Sequence, residues 1–228
     1  MTDGELEVEI ERPADLLAGH PATAYLWGHV AGSGEVTADS LEVVANDEAS
    51  AEVLAAIAGG AAAAPERETT TREYAHDTSI TRTDEEYTVA IDGSELYGRS
   101  GPLGLPVDGR GNYRFSAFSA HKRELLRGLL EGCGTVCFKS SSGTVGISFV
   151  ADDRELLEAI DDLLESCPVD APTGEIAETS SGGYWFGLAD DAAPAFGEWC
   201  YETCEETGLY APSRKRKLER SLEQAENV

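Results

Sequence analysis

The sequence predicts an α+β protein made of two αββαββα repeats with antiparallel sheets. Three observations predict it. First, Gly28, Gly32 and Gly34, in Leu26-Trp27-Gly28-His29-Val30-Ala31-Gly32-Ser33-Gly34, return one hundred residues later as Gly128, Gly132 and Gly134 (128−28, 132−32 and 134−34 agree). Val30 and Leu130 share that offset, and self-similarity at a fixed distance marks a duplicated unit. Second, helical patterns alternate with pairs of short strand patterns, which favours antiparallel pairing over single-strand crossovers. Third, residues 93–111 are rich in glycine and proline and separate two similar halves. The expected organisation is an acidic N-terminal segment (1–19), a first repeat (20–100), a linker (101–117), a second repeat (118–211) and a basic C-terminal helix or tail (212–228).

Each element has a local cause. Pro21 suits the first turn of a helix that carries Tyr25, Leu26, His29 and Val30 on one side and stops at Gly32-Ser33-Gly34. Strands at 35–37 and 40–45 follow around an Ala38-Asp39 turn. Asn46 or Asp47 then caps a helix that runs through Ile57 to Gly59-Gly60. A hairpin of 69–76 and 86–91 completes the strands of the first half. In the second half a helix runs from Ser119 or Ala120 to Gly132. Strands 135–139 and 144–150 flank Ser140-Ser141-Ser142-Gly143. Asp152 or Asp153 caps a helix with Leu156, Leu157, Ile160, Leu163 and Leu164 at helical spacing. Strands 174–178 and 183–188, a long helix over 192–207, and a basic helix from Pro212 through Gln224 end the chain.

Composition narrows the function classes. The chain has 228 residues, 17 basic against 43 acidic, for a net charge of −26, and its lysines are Lys122, Lys139, Lys215 and Lys217. Such a surface suits a cytoplasm of molar salt, where the Debye length falls to about 3 Å and screens self-repulsion. No apolar stretch approaches the ~18 residues that span a bilayer, and the acidic start lacks a signal-peptide pattern, so a cytoplasmic protein without a membrane partner is expected. Five cysteines in such a chain are expected to be reduced. Cys133 with Cys137, and Cys200 with Cys204, are spaced at x3 rather than the x2 usual for zinc. A four-cysteine metal site is weighed against buried thiols, and no cofactor is expected.

The repeated motif has a physical reading. A Gly-x3-Gly pair strips side chains from one helix stripe, so two such helices can approach backbone to backbone. With the element order, Leu125-Leu126-Arg127-Gly128-Leu129-Leu130-Glu131-Gly132-Cys133-Gly134-Thr135-Val136 resembles the motif and exit strand of the LAGLIDADG homing endonucleases in their single-chain, two-repeat form. The stretch Gly146-Ile147-Ser148-Phe149 and Arg154-Glu155-Leu156-Leu157 resembles that family's second strand and helix. The resemblance implies a monomer with internal pseudo-twofold symmetry and an acidic residue before the last glycine of each motif, holding a divalent metal at the DNA backbone. Here those positions are Ser33 and Cys133. Neither is an anionic oxygen, as Mg²⁺ prefers. Glu131 lies about 200° around the helix from Cys133, and Glu35 has Thr135 as its counterpart. A chain without nuclease activity is therefore expected.

Binding remains. The resemblance implies a saddle of two sheets on DNA, where Arg72, Arg82, Lys139, Ser140 and Ser141 are candidate contacts, with a basic tail of Arg214, Lys215, Arg216 and Lys217. DNA or RNA is the expected partner of a non-catalytic, nucleic-acid-binding or regulatory, salt-loving archaeal chain. The competing reading is an accessory protein of cofactor (cobalamin) biosynthesis that reuses the fold. His76-Asp77 is a common dipeptide, and Tyr184 and Trp185 are expected in the core.

Overall fold

The computed structural model describes residues 9–74, 77–93, 96, 102–107 and 111–227. Helix α1 (Pro21–Ser33) opens with His20 as cap: its Nδ1 accepts from Ala22 N–H at 3.2 Å, and Thr23 Oγ1 accepts from His20 N–H at 3.2 Å. Ala22 through Val30 are all buried, so α1 is a central helix rather than an amphipathic surface one. Strands β1 (Gly34–Val36) and β2 (Ser40–Ala45) follow, then α2 (Glu48–Ala58). The Asp47 side chain caps α2 by accepting from Ser50 N–H at 2.7 Å, and Gly59, at φ 63°, ends it. Strands β3 (Glu66–Tyr74) and β4 (Asp77–Asp92) close a sheet of order β1-β2-β4-β3.

The second half repeats this order. Helix α3 (Lys122–Gly132) leads into β5 (Gly134–Lys139) and β6 (Thr144–Ala151). Helix α4 (Arg154–Glu165), capped by Asp153, precedes β7 (Ala177–Glu178) and β8 (Tyr184–Gly187) in a sheet of order β5-β6-β8-β7. Every strand pair in both sheets is antiparallel. Helices α5 (Ala193–Tyr201), α6 (Cys204–Thr207) and α7 (Pro212–Glu226) end the chain. One face of each sheet meets the helices: Leu41, Val43, Tyr87, Val89 and Ile91 in the first, Val136, Val145, Ile147, Phe149 and Phe186 in the second, all buried. Burying each large apolar side chain contributes about 1.5–3 kcal/mol.

Three expectations meet differences. Strand β4 is sixteen residues long, so the polar stretch read as a loop between strands is itself strand; its Thr78, Ile80, Thr81 and Thr83 have β-branched side chains suited to it. Among the described residues the first half closes with short 3₁₀ turns (Pro102–Gly104 and Phe115–His121) where the second has α5 to α7. The long helix expected over 192–207 breaks between Tyr201 and Cys204, with Thr203 at φ 57°. The Arg127 guanidinium reaches the break. Its Nε donates to Cys200 O at 2.6 Å, the carbonyl that Cys204 N–H would meet in a continuous helix.

Candidate functional site

Helices α1 and α3 pack along their glycine stripes, and the contacts are reciprocal. A Cβ on Gly28 would overlap Leu125 O and stand 2.9 Å from Leu129 N; one on Gly128 would overlap Tyr25 O and stand 3.0 Å from His29 N. Farther along, Gly32 would meet Cys133 N at 2.9 Å and Gly132 would meet His29 O at 3.1 Å. Gly34 and Gly134 instead turn each helix into its strand, pressed on Val30 and Leu130 of their own helices. No side chain fits between α1 and α3 at these four levels.

At the ends of the two helices stand Ser33 and Cys133. Ser33 Oγ donates to Val44 O (2.8 Å) and is within reach of His29 O (3.2 Å). Cys133 Sγ lies 3.4 Å from Leu129 O, and burial pushes its thiol up to about 12, so it stays protonated. The five free cysteines do not converge. Cys200 and Cys204 are buried with raised thiol pKa values, while Cys133 and Cys137 lie on α3 and β5 ground. Among the described residues no three His, Cys, Asp or Glu side chains come together as a metal site.

One buried polar cluster escaped the sequence reading. Glu131, 2% exposed, accepts from Tyr25 Oη (2.5 Å) and Ala211 N–H (2.9 Å), and His29 Nε2 lies 3.2 Å away. Both carboxylate oxygens act as acceptors, Oε2 from Tyr25 and Oε1 from Ala211. Burial and then the Glu131 charge push Tyr25 and Tyr201 well above the ordinary tyrosine value. One turn earlier Arg127 donates to Cys200 O and Leu209 O. Arg127 and Glu131, one helical turn apart among leucines, therefore hold the 200–211 segment against α3. A charged i, i+4 pair set among Leu125, Leu126, Leu129 and Leu130 was the available signal.

The basic tail belongs to this assembly. Ser213 N–H donates to Asp47 Oδ2 at 3.2 Å, Arg214 Nη2 to Glu131 O at 3.3 Å, and Lys215 pairs with Glu205 and Glu219. Leu218 is buried beside Gly197, which also neighbours Ile147 on the helix-covered face of β6. Helix α7 thus lies on the helix side of the second sheet, not on its open face. Arg216 and Lys217 are exposed there.

Among the described residues the open faces differ in charge. On the first sheet Glu35, Glu42, Glu66, Glu68 and Glu86 are exposed and share the face opposite the core; Glu35 stands directly across from Glu42, and Glu68 from Glu86. Arg72 and Arg82 are backbone partners in the β3–β4 register, and their side chains lie outside the described residues, as does His76. The second sheet's open face carries Thr135, Cys137, Lys139, Thr144, Gly146, Ser148, Val150, Trp185 and Gly187. Lys139 is matched by Asp190, whose carboxyl the ammonium holds below the usual range. Ser140 and Ser141 are exposed in the adjoining turn. Trp185, expected in the core, is 44% exposed, because β8 alternates and Phe186 takes the inward position against Phe149.

Solved structures resemble the chain at low identity. The homing endonuclease I-WcaI, bound to its DNA recognition sequence, is 10% identical, with TM-score 0.55, covering 88% of this chain and 87% of that one. The N-terminal LAGLIDADG domain of WhiA is 12% identical at TM-score 0.49, covering 91% and 88%. I-DmoI in complex with DNA and Mn is 10% identical at TM-score 0.43, covering 85% and 98%. No curated protein matches the chain. A LAGLIDADG family model described as "Putative archaeal homing endonuclease" matches residues 1–228, and the chain belongs to that family.

Proposed function

We propose that the chain is a non-cleaving LAGLIDADG protein of a salt-adapted cell that binds nucleic acid. The observation that carries the first half is the pair Ser33 and Cys133. The divalent ion that the family's chemistry implies needs anionic oxygens at the ends of the motif helices. Ser33 offers a hydroxyl already donating to Val44 O, and Cys133 a thiol kept neutral by burial. These residues do not fit the ion. Glu131 cannot take its place, because both its oxygens are engaged deep between α1, α3 and the segment before α7.

Binding is supported by the shared fold with I-WcaI, whose structure holds its DNA recognition sequence, and by an open, uncovered face on the second sheet. The tail is a weak candidate for contact, since Arg214 and Lys215 are engaged within the molecule. A native gel in 0.3 and 2 M KCl with Mg²⁺ tests both halves together. The expected result is a retarded, uncut labelled nucleic acid, unchanged when Arg216 and Lys217 are replaced by alanine. Absence of retardation at both salt concentrations, for DNA and RNA alike, sinks the reading.

A further inference from the structure

The hundred-residue offset does not stop at the glycines. Among the described residues two non-glycine residues have positive φ, Leu103 and Thr203, and they stand one hundred positions apart (203−103). Their backbones nearly coincide, with φ 54° and ψ 21° at Leu103 and φ 57° and ψ 10° at Thr203. L side chains seldom adopt this left-handed conformation, so agreement in angle and in position marks the same turn in each half. Leu103 lies between the two repeats and Thr203 in the break between α5 and α6. The segment joining the repeats is therefore the counterpart of the one leading into α7, and each is the connector that follows its own sheet.

Ten positions past each turn stand Tyr113 and Ser213, again one hundred apart (213−113), and each reaches into the opposite repeat. Tyr113, which follows the first sheet, donates from Oη to Asp153 Oδ2 at 2.5 Å, at the head of α4. Ser213, which follows the second sheet, donates to Asp47 Oδ2 from its N–H at 3.2 Å and from its Oγ, at the head of α2. The two aspartates divide their oxygens alike. Oδ1 caps the helix, accepting from Ser50 N–H at 2.7 Å in α2 and from Glu155 N–H at 2.9 Å in α4, while Oδ2 takes the connector. Each connector is anchored on its own account. Arg114 N–H donates to Leu103 O and Asn112 N–H to Gly104 O on either side of Tyr113, while Arg127 and Glu131 hold Leu209 O and Ala211 N–H before Ser213.

We infer that the two repeats lock each other by exchanged connectors, each completing the cap of the other repeat's second helix. Neither α2 nor α4 is then fully held by its own half. The two grips are chemically alike, a hydroxyl on a capping carboxylate, and hydrogen bonds to a charged group are the stronger kind. Releasing one connector loosens a helix in the opposite half, not the helix of the repeat it follows.

Hydrogen exchange read by mass spectrometry on the full chain, with Tyr113→Phe and Ser213→Ala, tests this. Each substitution removes one hydroxyl and keeps the backbone. Tyr113→Phe is expected to speed exchange about ten- to one-hundred-fold in residues 154–165 and to leave 48–58 unchanged. Ser213→Ala is expected to do the reverse, by a smaller factor, because the Ser213 N–H stays on Asp47. Asp153→Asn, which still caps a helix, gives a second reading through urea midpoints. Its effect should be non-additive with Tyr113→Phe and additive with Ser213→Ala. Exchange that rises only around the substituted residue, rises evenly in both halves or does not change overturns the inference. An additive Tyr113–Asp153 pair overturns it as well.

Discussion

Alanine at Gly28 or Gly128 would place a methyl group in the opposing helix backbone, at Leu125 O or Tyr25 O. Backbone cannot rotate away as a side chain can, so α1 and α3 must separate. The expected cost is about 3 kcal/mol for each, the upper range for overpacking. Gly60→Ala is the control: nothing lies within 4 Å of its Cβ position. It should be neutral or slightly stabilising, by ~0.5 kcal/mol through the unfolded state. Urea midpoints of the three variants check this, and equal midpoints contradict it. The glycine stripe is the feature most legible in the sequence, because a repeated Gly-x3-Gly has few uses besides close helix approach. Trp185 was the least legible residue. Its exposure depends on which parity of Tyr184-Trp185-Phe186 faces the helices, and only the pairing of Phe186 opposite Phe149 settles that.

At the scale of elements, Glu131 and Arg127 hold the C-terminal segment to α3. Glu131→Gln keeps the shape but gives Tyr25 and Ala211 a neutral acceptor and places an amide N–H₂ among donors. The expected loss is about 3 kcal/mol, in the range for breaking a buried charged network. Hydrogen exchange should then rise in residues 209–226 more than in β2 or β6; uniform loosening contradicts the docking role. The same cluster sets an alkaline limit. Folded Tyr25 and Tyr201 keep their protons above the ordinary tyrosine value of 10.0, whereas the unfolded chain loses them there. Unfolding then releases protons, so stability is intact below that value and falls as pH rises through and beyond it. Urea midpoints between pH 8 and 11 should decline at the upper end, with a shallower decline in Tyr201→Phe. Strand β2, helix α2 and helix α4 were legible because their caps and alternation are local: Asp47, Asp153, Leu41-Val43-Ala45. The break between α5 and α6 was not, because the contact made there is to Arg127, seventy-three residues earlier in the chain.

At the scale of the whole molecule, two four-stranded sheets share one strand order, and among the described residues the open face of the first carries paired glutamates and that of the second carries Trp185. No described helix is long and apolar enough to cross a membrane. A charge of −26 on 228 residues makes self-repulsion a global term. Thermal unfolding should therefore shift upward between 0.1 and 2 M KCl as screening shortens the Debye length from about 10 to 3 Å or less; a midpoint independent of KCl contradicts salt adaptation. The central claim is that a LAGLIDADG chain with Ser33 and Cys133 at its motif ends binds without cutting. Supercoiled plasmid incubated with the purified chain and Mg²⁺ or Mn²⁺ in molar KCl tests it most directly. The plasmid is expected to stay supercoiled. Nicked or linear product that is abolished by Ser33→Ala or Cys133→Ala would contradict it.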